Sequence, residues 1–392
     1  MNNGYDIIIV GAGSFGMSAG YFTAKSGLRV LLIDAHNPPH EQGSHHGGTR
    51  IYRSAYTMGP AYAQLALRAG ELWSELAEEA REWGSSHYCG SGMAKADAEI
   101  FRKTGVVSIG DTNSRFLQSK QDSCMEFGIP YERLKPKELM DRWPGFCIPE
   151  HTEGLYEPQA GVLFSENIIR VYRILAERCG ADFRTNERVE SIVSGSAQQM
   201  VRTSAGTYYA DRVLVCGGAF SAALLPELKH LVRPVRKAIG WFEAPACLYG
   251  SGVFPAFIVN KGGTEEYYGF PDLDGRGVKV GRHDGGETVL PGAELPPFGT
   301  HPEDEEDLQS FINLYLPKVG SLSKGGTCLY ENAPGEHFLI GELPERPGIW
   351  FAGGGSGHGF KFSSSIGEAL SQLLAVGRSH CDLSSFAFQR SL

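Results

Sequence analysis

The sequence predicts an α/β protein with a second, α+β domain, and three observations carry that prediction. Tyr5 to Val10 is an unbroken apolar run rich in β-branched residues, as in a strand buried on both faces of a parallel sheet. It leads into Gly11-Ala-Gly13-Ser14-Phe-Gly16, a small-residue helix closed by Gly27, and a second apolar strand, Val30 to Asp34. Arg233 to His283 differs in kind: short Phe-, Tyr- and Trp-rich strands lie between Gly and Pro turns, as in an antiparallel sheet forming one wall of a pocket.

The remaining elements are read in chain order. Pro60 to Glu82 predicts a helix, with Leu65, Ala69, Leu72, Trp73, Leu76 and Ala80 recurring on one face. Trp83 to Gly92 breaks that pattern and predicts a loop, with a domain boundary just before it. Strand and helix signals alternate from Gly105 to Trp143, and a helix follows Ser165 with Ile168, Tyr172 and Leu175 inward. Arg212 to Cys216 reads as a strand entering a Gly-Gly turn, and Asp304 to Leu316 as a helix. Ile349 to Ala352 reads as a buried strand before the glycine-rich segment Gly353 to Gly359 and a final helix.

At 392 residues the chain is longer than one hydrophobic core usually supports, which also points to two domains. No apolar run reaches the roughly 18 residues of a membrane span. The net charge of -9 is spread along the chain without a basic block, so neither a membrane nor a nucleic acid is an expected partner. Eight scattered cysteines without a C-x-x-C pair argue against a metal site or a disulfide framework and predict a reducing, cytoplasmic setting. No heptads or dominant apolar stripe appear, and a monomer is expected.

The glycine turn carries the first functional signal. G-x-G-x-x-G alone is weak, but here a buried strand precedes it, a helix follows, and Asp34 ends the next strand. Gly11 and Gly13 let the backbone approach a pyrophosphate, whose charge meets the helix N-terminus at Ser14, and Gly16 lets helix and sheet pack closely. Asp34 is placed to accept hydrogen bonds from ribose hydroxyls. This is a Rossmann-type unit for a dinucleotide. No second complete fingerprint follows, and the later glycine turns at Gly217 and at Gly355, Gly357 and Gly359 suit one long FAD better than a nicotinamide pair.

Five segments give a more specific signal: Gly43-Ser-His-His46-Gly-Gly-Thr-Arg50, Tyr267-Tyr-Gly-Phe-Pro271, Lys279-Val-Gly-Arg-His283, Glu336-His-Phe-Leu-Ile340 and Gly355-Ser-Gly-His-Gly-Phe-Lys361-Phe. In them the chain resembles, over nearly its whole length, the family of monomeric sarcosine oxidase and N-methyltryptophan oxidase. The resemblance implies a p-hydroxybenzoate hydroxylase-like FAD domain in discontinuous segments, 1–80, 160–230 and 334–392. A substrate domain with a mixed, mainly antiparallel sheet would comprise 81–159 and 231–333. It also implies FAD attached through an 8α-S-cysteinyl thioether at Cys328, a residue that composition alone reads as a buried small hydrophobe.

The activity implied is oxidation of an N-methyl amino acid by O2, giving the amino acid, formaldehyde and hydrogen peroxide. An amino acid brings a carboxylate, which needs a cation with hydrogen-bonding reach; the matched pair is Arg50 and Lys361. Taken singly, an Arg after a loop is more often a solvated surface residue. His283 and Tyr268 match pocket positions that can hydrogen-bond an amine without adding positive charge. Lys279 matches a residue beside the flavin, where a cation would stabilise charge developing on dioxygen, although a strand-edge Lys can serve only to blunt aggregation. His46 and Arg53 match positions near the flavin ring, Val189 is a further matched cofactor contact, and His45 is expected to face solvent.

Two departures are visible. Gly47-Gly48-Thr49-Arg50 stands where the family usually has Gly-Asp-Thr-Arg, and the stretch from Trp83 to Glu99 is longer than the usual connection. Leu224 to Leu228 and Arg233 to Lys237 look closer to the tryptophan type, while the other motifs do not choose between sarcosine and N-methyltryptophan. A dehydrogenase passing electrons to another carrier would share every flavin motif. A non-catalytic dinucleotide-fold binding protein would share the Rossmann unit but has little reason to keep Cys328 with Arg50, Lys279 and Lys361.

Overall fold

The computed structural model describes residues 4–86 and 99–388. Its first sheet has eight strands, and at its centre Tyr5–Val10 pairs in parallel with Val30–Ile33 on one side and Thr207–Val215 on the other. Ile349–Gly353 adds in parallel to Thr207–Val215. Parallel strands buried on both faces require apolar residues throughout, and Ile7, Ile8, Ile9, Leu31, Leu32 and Leu214 are all sealed from solvent. The helices Ser14–Lys25 and Ser363–Val376 pack together over one face so closely that a Cβ at Gly367 would lie 2.2 Å from the Ser18 hydroxyl.

The second sheet has nine strands, including Arg233–Phe242, Ala256–Asn260, Glu266–Phe270, Val278–Arg282 and Leu322–Asn332. Its ladder is antiparallel, as expected for this segment, except that Ala256–Asn260 pairs in parallel with Val106–Asp111. The helix Glu303–Tyr315 covers one face, burying Leu308, Phe311 and Ile312. The long strand Leu322–Asn332 runs beside Arg233–Phe242 and sets Cys328 opposite Lys237. A small third sheet of Thr49–Tyr52, Gly161–Phe164 and Phe101–Arg102 lies between the stretches that build the two large ones.

Two expectations are corrected. The helix starting at Pro60 continues to Ser86, so Trp83–Ser86 belongs to it and a domain boundary at 80/81 would cut a continuous helix. One interior glycine costs a helix only about 1 kcal/mol, and Gly84 does not stop this one. The rest of the expected loop, from 87 to 98, lies outside the described residues. His45 is not at the surface: it is 2% exposed, its ring accepts the His40 amide, and its carbonyl accepts the Ser165 hydroxyl. Burial first, then the charges of His40 and Arg50, pushes its imidazole down to about 3, so it is neutral. No helix among the described residues is long and apolar enough to cross a membrane.

Candidate active site

Between the two large sheets lies a cavity of about 800 Å³, within the range of natural small-molecule sites. At one end it is lined by Gly11, Gly13, Ser14, Asp34 and Val189. The helix beginning at Ser14 has no side chain capping its first amides, so free N–H groups and the positive end of the helix dipole are available to an anion. Gly11 has φ +92°, and a Cβ on it would lie 2.5 Å from the Cys216 carbonyl oxygen, which excludes any side chain on two counts. Gly16 does not line the cavity; a Cβ there would lie 1.9 Å from the Gly11 carbonyl oxygen, so it sets how closely helix and turn approach. Burial pushes the Asp34 carboxyl up, but the His40 ring and the amides of His36 and Ala12 outweigh it and hold the group ionised.

The middle of the cavity is cationic. Arg50 is fixed by the loop before it, donating to the carbonyls of Thr49 (2.6 Å), Ser44 (2.5 Å) and His46 (2.7 Å). Lys279 donates to the Gly47 carbonyl at 2.7 Å and the Thr49 hydroxyl at 3.2 Å. Burial and then Arg50 drive its pKa far down. Cys328 shares this neighbourhood; burial raises its thiol pKa, while Arg50, Lys279 and Lys237 pull it back. His46 sits 3.7 Å from Glu166 and is the main reason that carboxyl falls to about 2.

Gly47 and Gly48 both have positive φ, +96° and +80°, so the departure from Asp at position 48 places glycine where a side chain would strain the backbone. That turn aims the Gly47 carbonyl at Lys279.

At the far end, Tyr56 organises a second polar cluster. Its hydroxyl bonds His358 Nδ1 at 2.9 Å and accepts from Lys361 Nζ at 3.3 Å, while Lys361 also donates to the His358 carbonyl at 2.8 Å. The Arg53 guanidinium lies 4.5 Å from the Tyr56 ring centre and the Lys361 ammonium 5.3 Å. Two basic side chains thus flank one ring, both largely buried and both lining the cavity. Burial lowers the Lys361 pKa most, with Arg53 the next cause. Tyr268 also lines the cavity near Cys328 and Arg50, its hydroxyl raised to about 12 by burial first and by Cys328 second. His283 stands 3.8 Å from the Glu336 carboxylate.

A profile of FAD dependent oxidoreductases matches residues 6–373. Monomeric sarcosine oxidase of Bacillus sp. (strain B-0618) is 41% identical over 395 residues, covering 100% of this chain and 97% of that protein. The chain belongs to the FAD dependent oxidoreductase family. N-methyl-L-tryptophan oxidase of Yersinia pestis (strain Pestoides F) is 37% identical over 386 residues, 98% of this chain and 99% of that protein. In fold, this FAD dependent oxidoreductase resembles NikD, an amino acid oxidase essential for nikkomycin biosynthesis, in its open form (TM-score 0.81, 22% identity, 99% of this chain and 98% of that one). Glycine oxidase from Geobacillus kaustophilus is comparably similar (TM-score 0.80, 21% identity, 99% of both chains).

The cavity of this FAD dependent oxidoreductase fits its family's cofactor. It meets an uncapped helix N-terminus, carries an ionised Asp34 beside it, and holds a buried carboxyl oxygen, Glu331 Oε1, without a hydrogen bond of normal geometry.

All the sequence-predicted site residues line this one cavity except Gly16. Their grouping differs from expectation in one respect: Lys361 is brought to Arg53, while Arg50 is tied to the loop near Lys279 and Cys328. Sequence reasoning missed Tyr56, Tyr330, Glu266 and Glu331, which also line the cavity. Tyr330 and Glu266 carried a usable signal, since each lies two strand positions from a chosen residue, Cys328 and Tyr268 respectively. Tyr56 and Glu331 carried none.

Proposed function

We propose that this protein oxidises the N-methyl group of a small amino acid at the expense of O2. The observation that carries the reading is the pairing of Arg53 with Lys361 around Tyr56, in the same cavity as the Gly11–Asp34 cradle and Lys279. Bound FAD would supply the two-electron acceptor and return the pair to O2. Overall, R–NH–CH3, O2 and H2O give R–NH2, formaldehyde and H2O2.

Gly11, Gly13, Ser14, Asp34 and Val189 hold the adenosine and pyrophosphate end, and Gly355, Gly357 and Gly359 admit the cofactor where side chains would obstruct it. Arg53 and Lys361 take the substrate carboxylate, with Arg providing a planar fork and Lys a point charge. Fixing one end of a small substrate in this way orients its amine and methyl carbon, which can supply several kcal/mol of the barrier. Tyr268 and His283 are hydrogen-bonding groups for a neutral amine. Lys279, with Arg50 behind it, stabilises negative charge arising on dioxygen. His46 and Arg50 brace the loop that carries the Lys279 acceptor.

Cys328 would be the attachment point, its thiol giving a thioether at the flavin 8α position at the cost of one S–H and one C–H, with O2 taking up the two electrons and two protons as H2O2. Burial of the thiol among Arg50, Lys279 and Lys237 supports this choice over the other cysteines. The strands of the first sheet and those of the second fall into the two expected sets of segments, supporting an FAD domain and a substrate domain whose boundary follows Ser86. The name of the monomeric relatives supports a monomer. The test is a peroxide assay of purified yellow protein with sarcosine and with N-methyltryptophan. Reduction of the flavin by substrate without peroxide would instead support the dehydrogenase reading.

A further inference from the structure

Glu331 lies three residues beyond Cys328 on the strand Leu322–Asn332 and lines the cofactor cavity at 7% exposure. Its backbone is pinned to the glycine turn after Ile349–Gly353, because the Ser356 amide donates to the Glu331 carbonyl at 2.9 Å. One carboxyl oxygen, Oε2, accepts the Gly354 amide at 2.9 Å. The other, Oε1, is buried without a hydrogen bond of normal geometry, as is the Ser221 hydroxyl, although that hydroxyl and the Gly355 amide both face the carboxyl and favour its charged form. The place is built for this carboxyl: a Cβ at Gly353 would lie 2.7 Å from Oε1.

A buried carboxyl with one oxygen short of a hydrogen bond is destabilising, and more so when it is charged. A polar group of something bound in the cavity would relieve it. The groups facing Glu331 from the elements packed on it are the Gly354 and Gly355 amides, the Ser221 hydroxyl and the Cys216 thiol; none of its described interactions is with a cation.

We propose that Glu331 is a cofactor-positioning residue, which donates a hydrogen bond from its idle oxygen to an acceptor atom of the bound flavin and passes any change in its own charge to that flavin. The inference rests on FAD occupying this cavity. Without a cation nearby, burial raises the carboxyl to about 7, so near neutral pH a large share of Glu331 is the acid form that can donate. As pH rises, the acid becomes an anion beside the cofactor and the donated bond is lost.

The experiment is a pH titration of the flavin absorption spectrum of the purified yellow protein, native and with Glu331→Gln, which keeps the shape and a donor but cannot ionise. The native flavin bands should shift with a midpoint near 7, and the Gln variant should show the low-pH spectrum throughout. The same midpoint and amplitude in both proteins, or a native spectrum indifferent to pH, would overturn the assignment. Infrared difference spectra of the native protein give a second reading that needs no variant. A protonated-carboxyl C=O band should move when the flavin is reduced, and a spectrum with no such band at low pH would also overturn it. Protein that purifies without any flavin would instead defeat the FAD reading itself.

Discussion

Replacing Arg53 by Met separates the two arginines that the sequence presents three residues apart. Arg53 spends one guanidinium nitrogen on the Ala55 carbonyl and lies over Tyr56 beside Lys361, leaving further N–H groups for a ligand. Two charge-assisted hydrogen bonds to a carboxylate at about 1.5–3 kcal/mol each make a loss of about 3–6 kcal/mol, or roughly 10²- to 10⁴-fold in kcat/KM. Most of it should appear in KM, because the substrate carboxylate is held equally before and during reaction. The assay is steady-state peroxide production against an N-methyl amino acid, with binding of a simple carboxylate followed by the flavin spectrum. Arg50→Met should instead disturb the Ser44–His46 loop and the flavin environment while leaving carboxylate binding largely intact. Unchanged KM and carboxylate affinity in Arg53→Met, with both lost in Arg50→Met, would show that the carboxylate sits at the other end of the cavity.

Three further outcomes are expected. Lys120 is completely buried with no hydrogen-bond partner, and burial, then Arg53, lowers its pKa from 10.5 to about 7. The folded value lies below the unfolded one, so the penalty is complete below about 7, fades as pH rises toward 10.5, and corresponds to on the order of 5 kcal/mol. Lys120→Met should therefore raise stability to urea at pH 6 and gain progressively less toward pH 9; a loss, or a gain independent of pH, would contradict this. Lys279→Met should slow reoxidation of the reduced flavin by roughly 10²- to 10³-fold with a much smaller effect on its reduction, measured by stopped flow; equal slowing of both steps would remove Lys279 from the oxygen chemistry. Cys328→Ser should release its flavin on acid precipitation while the native protein keeps it in the pellet, and retention by the variant would locate the attachment elsewhere.

The β-α-β unit was legible because its signals are local: a run of apolar residues, glycines at fixed offsets and a terminal Asp34. The motifs likewise put almost every chosen residue on one cavity. What they could not supply was the partnership of side chains from distant segments. Arg50 and Arg53 are three positions apart, and in extended chain an odd separation sends side chains to opposite sides, so one turns to the Ser44–His46 loop and the other to Lys361. Lys361 itself comes from some 300 residues away. His45 looked like a surface polar residue because its burial depends on His40 and on the helix starting at Ser165. The parallel pairing of Ala256–Asn260 with Val106–Asp111 has the same origin, since nothing in either strand specifies so remote a neighbour.

The central claim is that one cavity holds FAD and presents an N-methyl amino acid to it, and a single anaerobic titration tests this directly. Sarcosine or N-methyltryptophan added without oxygen should bleach the yellow absorbance of the purified protein, and admitting air should restore it with one H2O2 per flavin. A protein that is colourless, or yellow but not bleached by any N-methyl amino acid, would contradict the account.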